Sequence, residues 1–217
     1  MLVALGTLAS AQSNGTQATM KAAVKLLNYA NTHPDSAIRY YASGMQLHIH
    51  SDASYLSEAN ARSRVGGVFF LSGNDDPSPN APTPPRNGAV HVVSSIMHNV
   101  MASAAEAELG GLFVNGQEAC PIRTTLEQLG WKQHGPTPIQ TANAVADGIA
   151  NDTVKQRRSK AMDMRFYWIR DRVRQGQFRV HWKAGSTNDA DYFTKHHPTS
   201  HHITQRPIYV VPSGAQQ

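Results

Sequence analysis

The chain has 217 residues, of which 40% are hydrophobic, 16% charged and 7% aromatic. This length suits one domain of ordinary size, or one domain with an appended segment, and the apolar content is sufficient for a core. No apolar run approaches the roughly 20 residues that a membrane-spanning helix requires, so no membrane association is expected. The apolar stretch at residues 1–11 is not preceded by Lys or Arg, so no secretion signal is expected and the composition predicts an intracellular protein.

Basic residues exceed acidic ones, with 20 Lys and Arg against 15 Asp and Glu, a formal charge of +5 and a sequence pI near 9.5. Much of this excess lies between residues 155 and 174. Such a run is either a solvated helix face or a surface that binds phosphate groups. The cations of the run are Lys155, Arg157, Arg158, Lys160, Arg165, Arg170, Arg172 and Arg174.

The first half of the chain is predicted to contain a helix followed by three strands. Apolar periodicity over residues 19–31 predicts the helix, which ends before Pro34 because the residue preceding a proline disfavours the α conformation. Alternation over 46–51 predicts a first strand that stops at Asp52. Apolar runs predict the second strand over 65–71 and the third over 89–93.

The second half alternates between helices and strands. Ser103 to Glu106 has the pattern of a capping box, which marks the start of a helix whose apolar face includes Leu109 and Leu112. The elements predicted after it are a helix over 122–129, a strand over 137–141, a helix over 142–150, the longest helix over 159–175, a strand over 177–182 and a short helix over 190–194. Three successive strands followed by this alternation predict an α/β protein with a mixed sheet and helices on its faces.

Three acids lie on elements that are far apart in the sequence. Asp52 follows the first predicted strand, Glu108 lies in the first turns of the helix that begins near Ser103, and Asp191 begins the last short helix. If these carboxylates converge, they form an oxygen-rich site of the kind that Mg²⁺ prefers. Two such ions can activate a water and stabilise the leaving oxygen of a phosphodiester.

The sequence resembles the ribonuclease H domain of copia-type LTR retrotransposon polyproteins over roughly residues 45–200. The segments that carry the resemblance are HSDASY (50–55), SRVGGVFFL (63–71), AEAEL (105–109), QTAN (140–143), the helix SKAMDMRFYWIRD (159–171) and NDADYFTKHH (188–197). The resemblance implies a ribonuclease H-like fold with a mixed five-stranded sheet and helices on both faces. Residues 1–44 resemble the connection segment that follows the reverse transcriptase, and 201–217 are expected to form a flexible tail. The whole chain is expected to be a fragment of a larger polyprotein.

In that family, four carboxylates bind two Mg²⁺ ions, for which Mn²⁺ can substitute, and the enzyme cleaves the RNA strand of an RNA–DNA hybrid. Three of these acids match Asp52, Glu108 and Asp191. Glu106 is better explained as the helix cap, and Asp189 is a weaker match than Asp191. The fourth acid belongs after the threonine of a T-D-N segment, where this chain has Ala142. Asp147 lies too far along the helix to replace it.

The resemblance also assigns partners and a location. The expected partners are an RNA–DNA hybrid and the reverse transcriptase portion of the same polyprotein, and the expected location is the cytoplasmic particles of the element. The candidate nucleic-acid contacts are Lys155, Arg157, Arg158, Lys160 and Arg165.

The 11 histidines raise two further possibilities. Because Cys120 is the single cysteine, any zinc site needs three or more histidine or acid ligands, and the histidines at 196, 197, 201 and 202 are densely spaced. His196 or His197 is a possible auxiliary group near the last acid. His48 and His50 are expected to be half-exposed strand residues.

Ala142 leaves two functions open. One is a magnesium-dependent endonuclease domain that is inactivated or weakened by the missing acid, through natural decay or a deliberate replacement. The other is a non-catalytic nucleic-acid-binding or connection domain of a retroelement polyprotein. The retention of three acids favours a recently inactivated enzyme, because an old structural domain is expected to lose several.

Overall fold

The computed structural model describes residues 1–73, 76, 78, 84–154 and 164–214. Its main feature is a five-stranded sheet, and a separate two-stranded ribbon lies outside it. The strands are β1 (Ser36–Ala37), β2 (Gln46–Glu58), β3 (Arg62–Ser72), β4 (Ala89–Ile96), β5 (Thr137–Thr141), β6 (Phe178–Trp182) and β7 (Val211–Pro212). The order in the large sheet is β4-β3-β2-β5-β6.

The sheet combines an antiparallel meander with two parallel strands, as the sequence predicts. β2 pairs with β3 and β3 with β4 in antiparallel fashion, whereas β5 runs parallel to both β2 and β6. β2 is longer than expected, because it does not stop at Asp52 but continues to Glu58 through an irregularity in its pairing after Ser54. Asp52 therefore lies within a paired strand, opposite Gly66.

Six α-helices surround the sheet in the described part of the chain. They are α1 (Leu2–Ser10), α2 (Gln17–Asn31), α3 (Ala104–Gln128), α4 (Ala144–Ala150), α5 (Met164–Arg174) and α6 (Thr199–Tyr209). The predicted helices on either side of Pro121 are wrong as separate elements, because α3 runs through this proline. Proline at that position removes one backbone hydrogen bond, but buried Ala119 and Leu126 hold the flanking turns against the core. With 25 residues, α3 is also longer than the helix expected over 159–175.

Both faces of the sheet are covered. On one face, Ile49, Phe69 and Ile139 pack with Leu109 and Leu112 of α3 in the main core. On the other face, a smaller cluster joins Val68 and Phe70 of β3 to Ala190 and Phe193. The last two belong to a 3-10 helix over Asp189–Phe193, which replaces the short helix expected over 190–194. Alternation along β3 thus directs neighbouring side chains into different clusters.

The chain ends do not form independent segments. The expected flexible tail at 201–217 is wrong over 201–212, because these residues form most of α6 and then β7, which pairs with β1. His202 of α6 lies 2.7 Å from the hydroxyl of Tyr29 in α2, so the N-terminal segment and the tail meet. No helix in the described residues is long and apolar enough to cross a membrane.

Candidate active site

Asp52 lies on the central strand of the sheet, and its carboxylate is almost fully buried. Its side chain is 7% exposed. The hydroxyl of Thr194, which follows the 3-10 helix, lies 2.9 Å from Oδ2 of Asp52 and donates to it. The carboxyl groups of Asp52 and Glu108 also lie close enough to share a hydrogen bond when one of them is protonated. Two of the three predicted acids are therefore in direct contact although they belong to different elements.

Glu108 reaches the sheet because of how α3 begins. The N-cap Ser103 accepts a hydrogen bond from the amide of Glu106, and Glu106 in turn accepts one from the amide of Ala102. Glu106 thus serves as a cap, as the sequence predicts, although it bonds to the residue before the N-cap. Two positions later, Glu108 is 7% exposed and accepts a 3.3 Å hydrogen bond from the hydroxyl of Thr141 at the end of β5.

Burial and mutual repulsion disfavour the ionised forms of both carboxyl groups. Burial is the main cause that raises the pKa of Asp52, and the charge of Asp191 adds to it, whereas the hydrogen bond from Thr194 opposes it. Burial followed by the charge of Asp52 also raises the pKa of Glu108. The two acids therefore destabilise each other unless a proton or a cation is shared between them.

Asp191 is the third acid at this site. Its charge acts on Asp52, and its own Oδ1 lies 2.6 Å from the ammonium group of Lys195. Its neighbour Asp189 has different partners, since its carboxylate lies 2.9 Å from Arg86 and 3.3 Å from His50. Asp191 therefore acts on Asp52, whereas the partners of Asp189 are Arg86 and His50.

Asn188 fixes the 3-10 helix that carries Asp191 to the central strand. Its amide nitrogen donates a 2.7 Å hydrogen bond to the carbonyl oxygen of Ser51, the residue before Asp52. Its side-chain oxygen accepts from the amide of Ala190 and so caps the 3-10 helix. Asn188, Thr141 and Thr194 lie in the motifs quoted above, but no local pattern indicated that these polar side chains contact the acids or the segments that carry them.

Ala142 follows β5 at the position that continues the parallel pairing toward Asp52. The register aligns Ser51 with Thr141, so the next pair of positions is Asp52 and Ala142. The indole of Trp182 donates a 3.2 Å hydrogen bond to the carbonyl oxygen of Ala142. Asp147 of α4, which the sequence discounts as a substitute, accepts a 2.7 Å hydrogen bond from the side-chain amide of Asn151, the C-cap of this helix.

The histidines near the last acid differ in their contacts. His197 has its Nε2 atom 3.3 Å from the carbonyl oxygen of Asp191, and its ring stacks on Tyr192. His196 instead lies 3.3 Å from the hydroxyl of Thr7 in α1. Burial lowers the pKa of His197.

The strand histidines correct an expectation. His48 and His50 are buried rather than half-exposed, with exposures of 5% and 7%. Their rings pack against Phe70, and each accommodates its burial with a polar partner, the carbonyl oxygen of Gly73 for His48 and Asp189 for His50.

Half of the cations in the basic run lie outside the described residues, namely Lys155, Arg157, Arg158 and Lys160. Arg165 at the start of α5 has a 3.4 Å hydrogen bond to the side chain of Asn99. Further along α5, Arg170 and Arg174 form ion pairs with Asp152. The later part of the run therefore has structural partners within the domain.

The class of fold follows from the sheet. The order β4-β3-β2-β5-β6, with β2, β3 and β4 antiparallel and β5 and β6 parallel to the central β2, is the arrangement of the ribonuclease H-like fold. The three acids lie on or beside the central strand of this sheet, on β2, on α3 and on the 3-10 helix before α6.

The comparisons with known proteins concern both sequence and structure. The chain is 24% identical over 193 residues to the Retrovirus-related Pol polyprotein from transposon TNT 1-94 of Nicotiana tabacum, an alignment that covers 88% of this chain and 13% of that polyprotein. No family model matches the chain. The chain thus spans 13% of the length of that polyprotein, and its sheet order is that of the ribonuclease H-like fold.

Similar solved structures include two ribonucleases H. The N-terminal ribonuclease H domain of rv2228c from Mycobacterium tuberculosis has 13% identity and a TM-score of 0.43, covering 76% of this chain and 96% of that one. LC11 ribonuclease H1 in complex with an RNA/DNA hybrid has 12% identity and a TM-score of 0.48, covering 69% of this chain and 94% of that one.

Proposed function

We propose that this chain is the ribonuclease H domain of a copia-type retroelement polyprotein, an endonuclease for the RNA strand of RNA–DNA hybrids, with activity suppressed by Ala142. The observation that carries the proposal is the contact between the buried carboxyl groups of Asp52 and Glu108. The charge of Asp191 also acts on Asp52 and raises its pKa. A structural domain gains nothing from burying two carboxylates against each other, whereas a nuclease site requires such a cluster.

The donor set fits magnesium. Carboxylate oxygens from Asp52, Glu108 and Asp191 are the ligands that this hard cation prefers, and its charge removes the repulsion between the first two. Bound Mg²⁺ or Mn²⁺ supplies an activated water and charge stabilisation for phosphodiester hydrolysis. These three residues are the ones that would hold the ions.

The surrounding side chains have positioning roles in this proposal. Thr194 orients the Asp52 carboxylate and Thr141 that of Glu108, each through a hydrogen bond to one oxygen. Glu108 also accepts a hydrogen bond from the backbone amide of Ala53. Lys195 forms an ion pair with Asp191 beside them. Positioning of this kind matters because a ligand that moves by an ångström loses much of its effect.

Ala142 removes one carboxylate from this set. The missing ligand and charge weaken cation binding near β5, so cleavage is expected to be at least about a thousandfold slower than with Asp at this position, equivalent to about 4 kcal/mol of barrier. Hybrid binding should persist. The Ala142→Asp variant should cleave the RNA strand of a labelled hybrid in the presence of Mg²⁺, and EDTA should abolish the cleavage.

Two controls make this experiment decisive. Adding Asp52→Asn to Ala142→Asp should abolish the restored cleavage while circular dichroism shows a folded protein. Adding Asp147→Asn to Ala142→Asp should leave the restored cleavage unchanged, because the side chain of Asp147 is hydrogen-bonded to Asn151. Strong cleavage by the unaltered chain would show that position 142 carries no ligand.

Hybrid binding can be tested apart from cleavage. We infer from the sequence that Lys155, Arg157, Arg158, Lys160 and Arg165 contact the phosphate backbone. Replacing Arg157, Arg158 and Lys160 together by Gln should reduce the slope of log affinity against log salt by about 2–3 units. An unchanged slope would assign these cations to a solvated helix face.

The alternative function is a non-catalytic nucleic-acid-binding or connection domain, and Ala142 is the observation that favours it. A folded, hybrid-binding Ala142→Asp protein that never cleaves would support this alternative. In either case the proposed setting is a polyprotein with a reverse transcriptase portion, in cytoplasmic particles of the element.

A further inference from the structure

A second group of metal-ligating side chains includes Asp191 and extends from the 3-10 helix to α6. It consists of Asp191, His197 and His201, whose ligand atoms all lie within 4.8 Å of one another. The two imidazole rings are stacked, with their centroids 4.4 Å apart. All three side chains are partly exposed, so an ion from solvent can reach them.

The chemistry of this group differs from that of the acid site. Two imidazoles with one carboxylate are typical ligands of Zn²⁺ and related transition metals, whereas Mg²⁺ prefers oxygen ligands alone. A tetrahedral zinc with bonds of about 2.0–2.1 Å has ligand atoms about 3.4 Å apart. Because the ligand atoms lie within 4.8 Å of one another, each has to move by about an ångström or less, which partly exposed side chains can do.

The environment orients one of these ligands already. Nε2 of His197 lies 3.3 Å from the carbonyl oxygen of Asp191, and an imidazole that donates from Nε2 presents the lone pair of Nδ1. Metal-binding histidines commonly donate their second nitrogen to a backbone carbonyl in this way. The flat face of the same ring rests on Tyr192, which limits its rotation.

We propose that Asp191, His197 and His201 bind one transition-metal ion of the Zn²⁺ class, with a water as the fourth ligand. The site shares Asp191 with the cluster formed by Asp52 and Glu108. An ion held by the two histidines draws this carboxylate toward α6 and away from Asp52. We therefore expect Zn²⁺ to inhibit cleavage through Asp191, an expectation that rests on the proposed function.

Zinc binding by the full chain tests the site without any activity measurement. Calorimetric titration with Zn²⁺ should find a strongest site of one ion per chain. Replacing His201 with Ala should weaken that site at least about tenfold, since even the indirect partners of zinc ligands contribute 10–100-fold. The matched control is His134→Ala, which removes an exposed histidine outside the group and should leave the affinity unchanged. Equal affinities for His201→Ala and the unaltered chain would overturn the proposal.

The shared carboxylate is tested next. Asp191→Asn should weaken zinc binding by a similar factor, and an unchanged affinity would exclude Asp191 as a ligand. In the Ala142→Asp background, Zn²⁺ should inhibit Mg²⁺-dependent cleavage, and His201→Ala should raise the inhibitory concentration at least about tenfold. An inhibitory Zn²⁺ concentration that is unchanged by His201→Ala would refute the link between the sites. If Ala142→Asp never cleaves, the proposed function fails while the calorimetry still decides the zinc site.

Discussion

The hydroxyl of Thr194 lies 2.9 Å from Oδ2 of Asp52, a residue 142 positions earlier in the chain, and 2.9 Å from the carbonyl oxygen of Asp191. The single hydroxyl proton is thus placed between the two acidic residues. Thr194 is fully buried, so water cannot replace this contact. The end of the 3-10 helix and the central strand are therefore joined at the acids themselves.

Replacing Thr194 by Val removes this hydroxyl while it keeps the shape of the side chain. We expect the free energy of unfolding to fall by about 1–3 kcal/mol, because the buried carboxylate loses a donor. In the Ala142→Asp background, the affinity for Mg²⁺ should also fall, by about 10–100-fold. Urea unfolding and the magnesium dependence of cleavage measure the two effects. Thr204→Val, on the exposed side of α6, is the control and should change neither.

Both the side-chain nitrogen and the side-chain oxygen of Asn188 should contribute to the stability of the protein. Asn188→Ala loses both the cap and the bond to Ser51, so we expect a loss of about 2–3 kcal/mol of stability. Asn188→Asp keeps the cap but sets a carboxylate against the carbonyl of Ser51, and should be at least as harmful. Asn143, the N-cap of α4, accepts hydrogen bonds from the amides of Val145 and Ala146. Asn143→Asp should therefore be nearly neutral in urea unfolding. Equal effects of the two Asp substitutions would contradict the role given to the Asn188 amide.

Glu108→Gln should stabilise the metal-free protein. The folded state raises the pKa of Glu108 through burial and the charge of Asp52, so the ionised form that prevails in the unfolded chain at neutral pH is penalised on folding. A neutral amide of the same shape removes that penalty, and we expect a gain of about 1–2 kcal/mol. Thermal unfolding in EDTA measures it. Glu118→Gln, on the exposed side of α3, should be neutral, and a destabilised Glu108→Gln would contradict the repulsion.

Much of the fold could be predicted from the sequence because its strands are apolar or alternating runs bounded by turn residues. The run from Val65 to Leu71 became part of β3, and alternation at Phe178–Trp182 became β6. The separate helix predicted over 122–129 was wrong, since local rules end a helix at a proline such as Pro121 but cannot include the packing that continues it. The histidine-rich end was equally misleading, because α6 is stabilised by contacts with residues far away, such as Tyr29.

The acids were easier to identify than the residues that hold them. Asp52, Glu108 and Asp191 stood out because carboxylates in those motifs have a known chemistry. Asn188 and Thr194 did not, because a polar residue near a helix end has many ordinary explanations. Burial of His50 was missed for a related reason, since its partner Asp189 lies 139 positions away. Long-range pairing of polar groups leaves no local pattern in a single sequence.

Gly66 of β3 allows the 3-10 helix that carries Asp191 to pack closely against the sheet. A Cβ atom at Gly66 would lie 2.5 Å from the carbonyl oxygen of Ala190 and 2.7 Å from Cγ2 of Thr194. Since the first of these is backbone, the 3-10 helix must move if Gly66 is replaced by Ala. We expect a loss of about 1–3 kcal/mol in urea unfolding.

The position of the added methyl group makes a local readout possible. Amide hydrogen exchange at Ala190 and Asp191 should accelerate in Gly66→Ala more than exchange in β5, because the displaced 3-10 helix loses the cap from Asn188. Gly73 is the matched control, since a Cβ there meets no atom within 4 Å, and Gly73→Ala should leave both stability and exchange unchanged. In the Ala142→Asp background, Gly66→Ala should also reduce cleavage, as Asp191 moves away from Asp52. A Gly66→Ala protein with unaltered exchange at Asp191 would show that the sheet shifts instead and that the acid-bearing 3-10 helix is the more rigid partner.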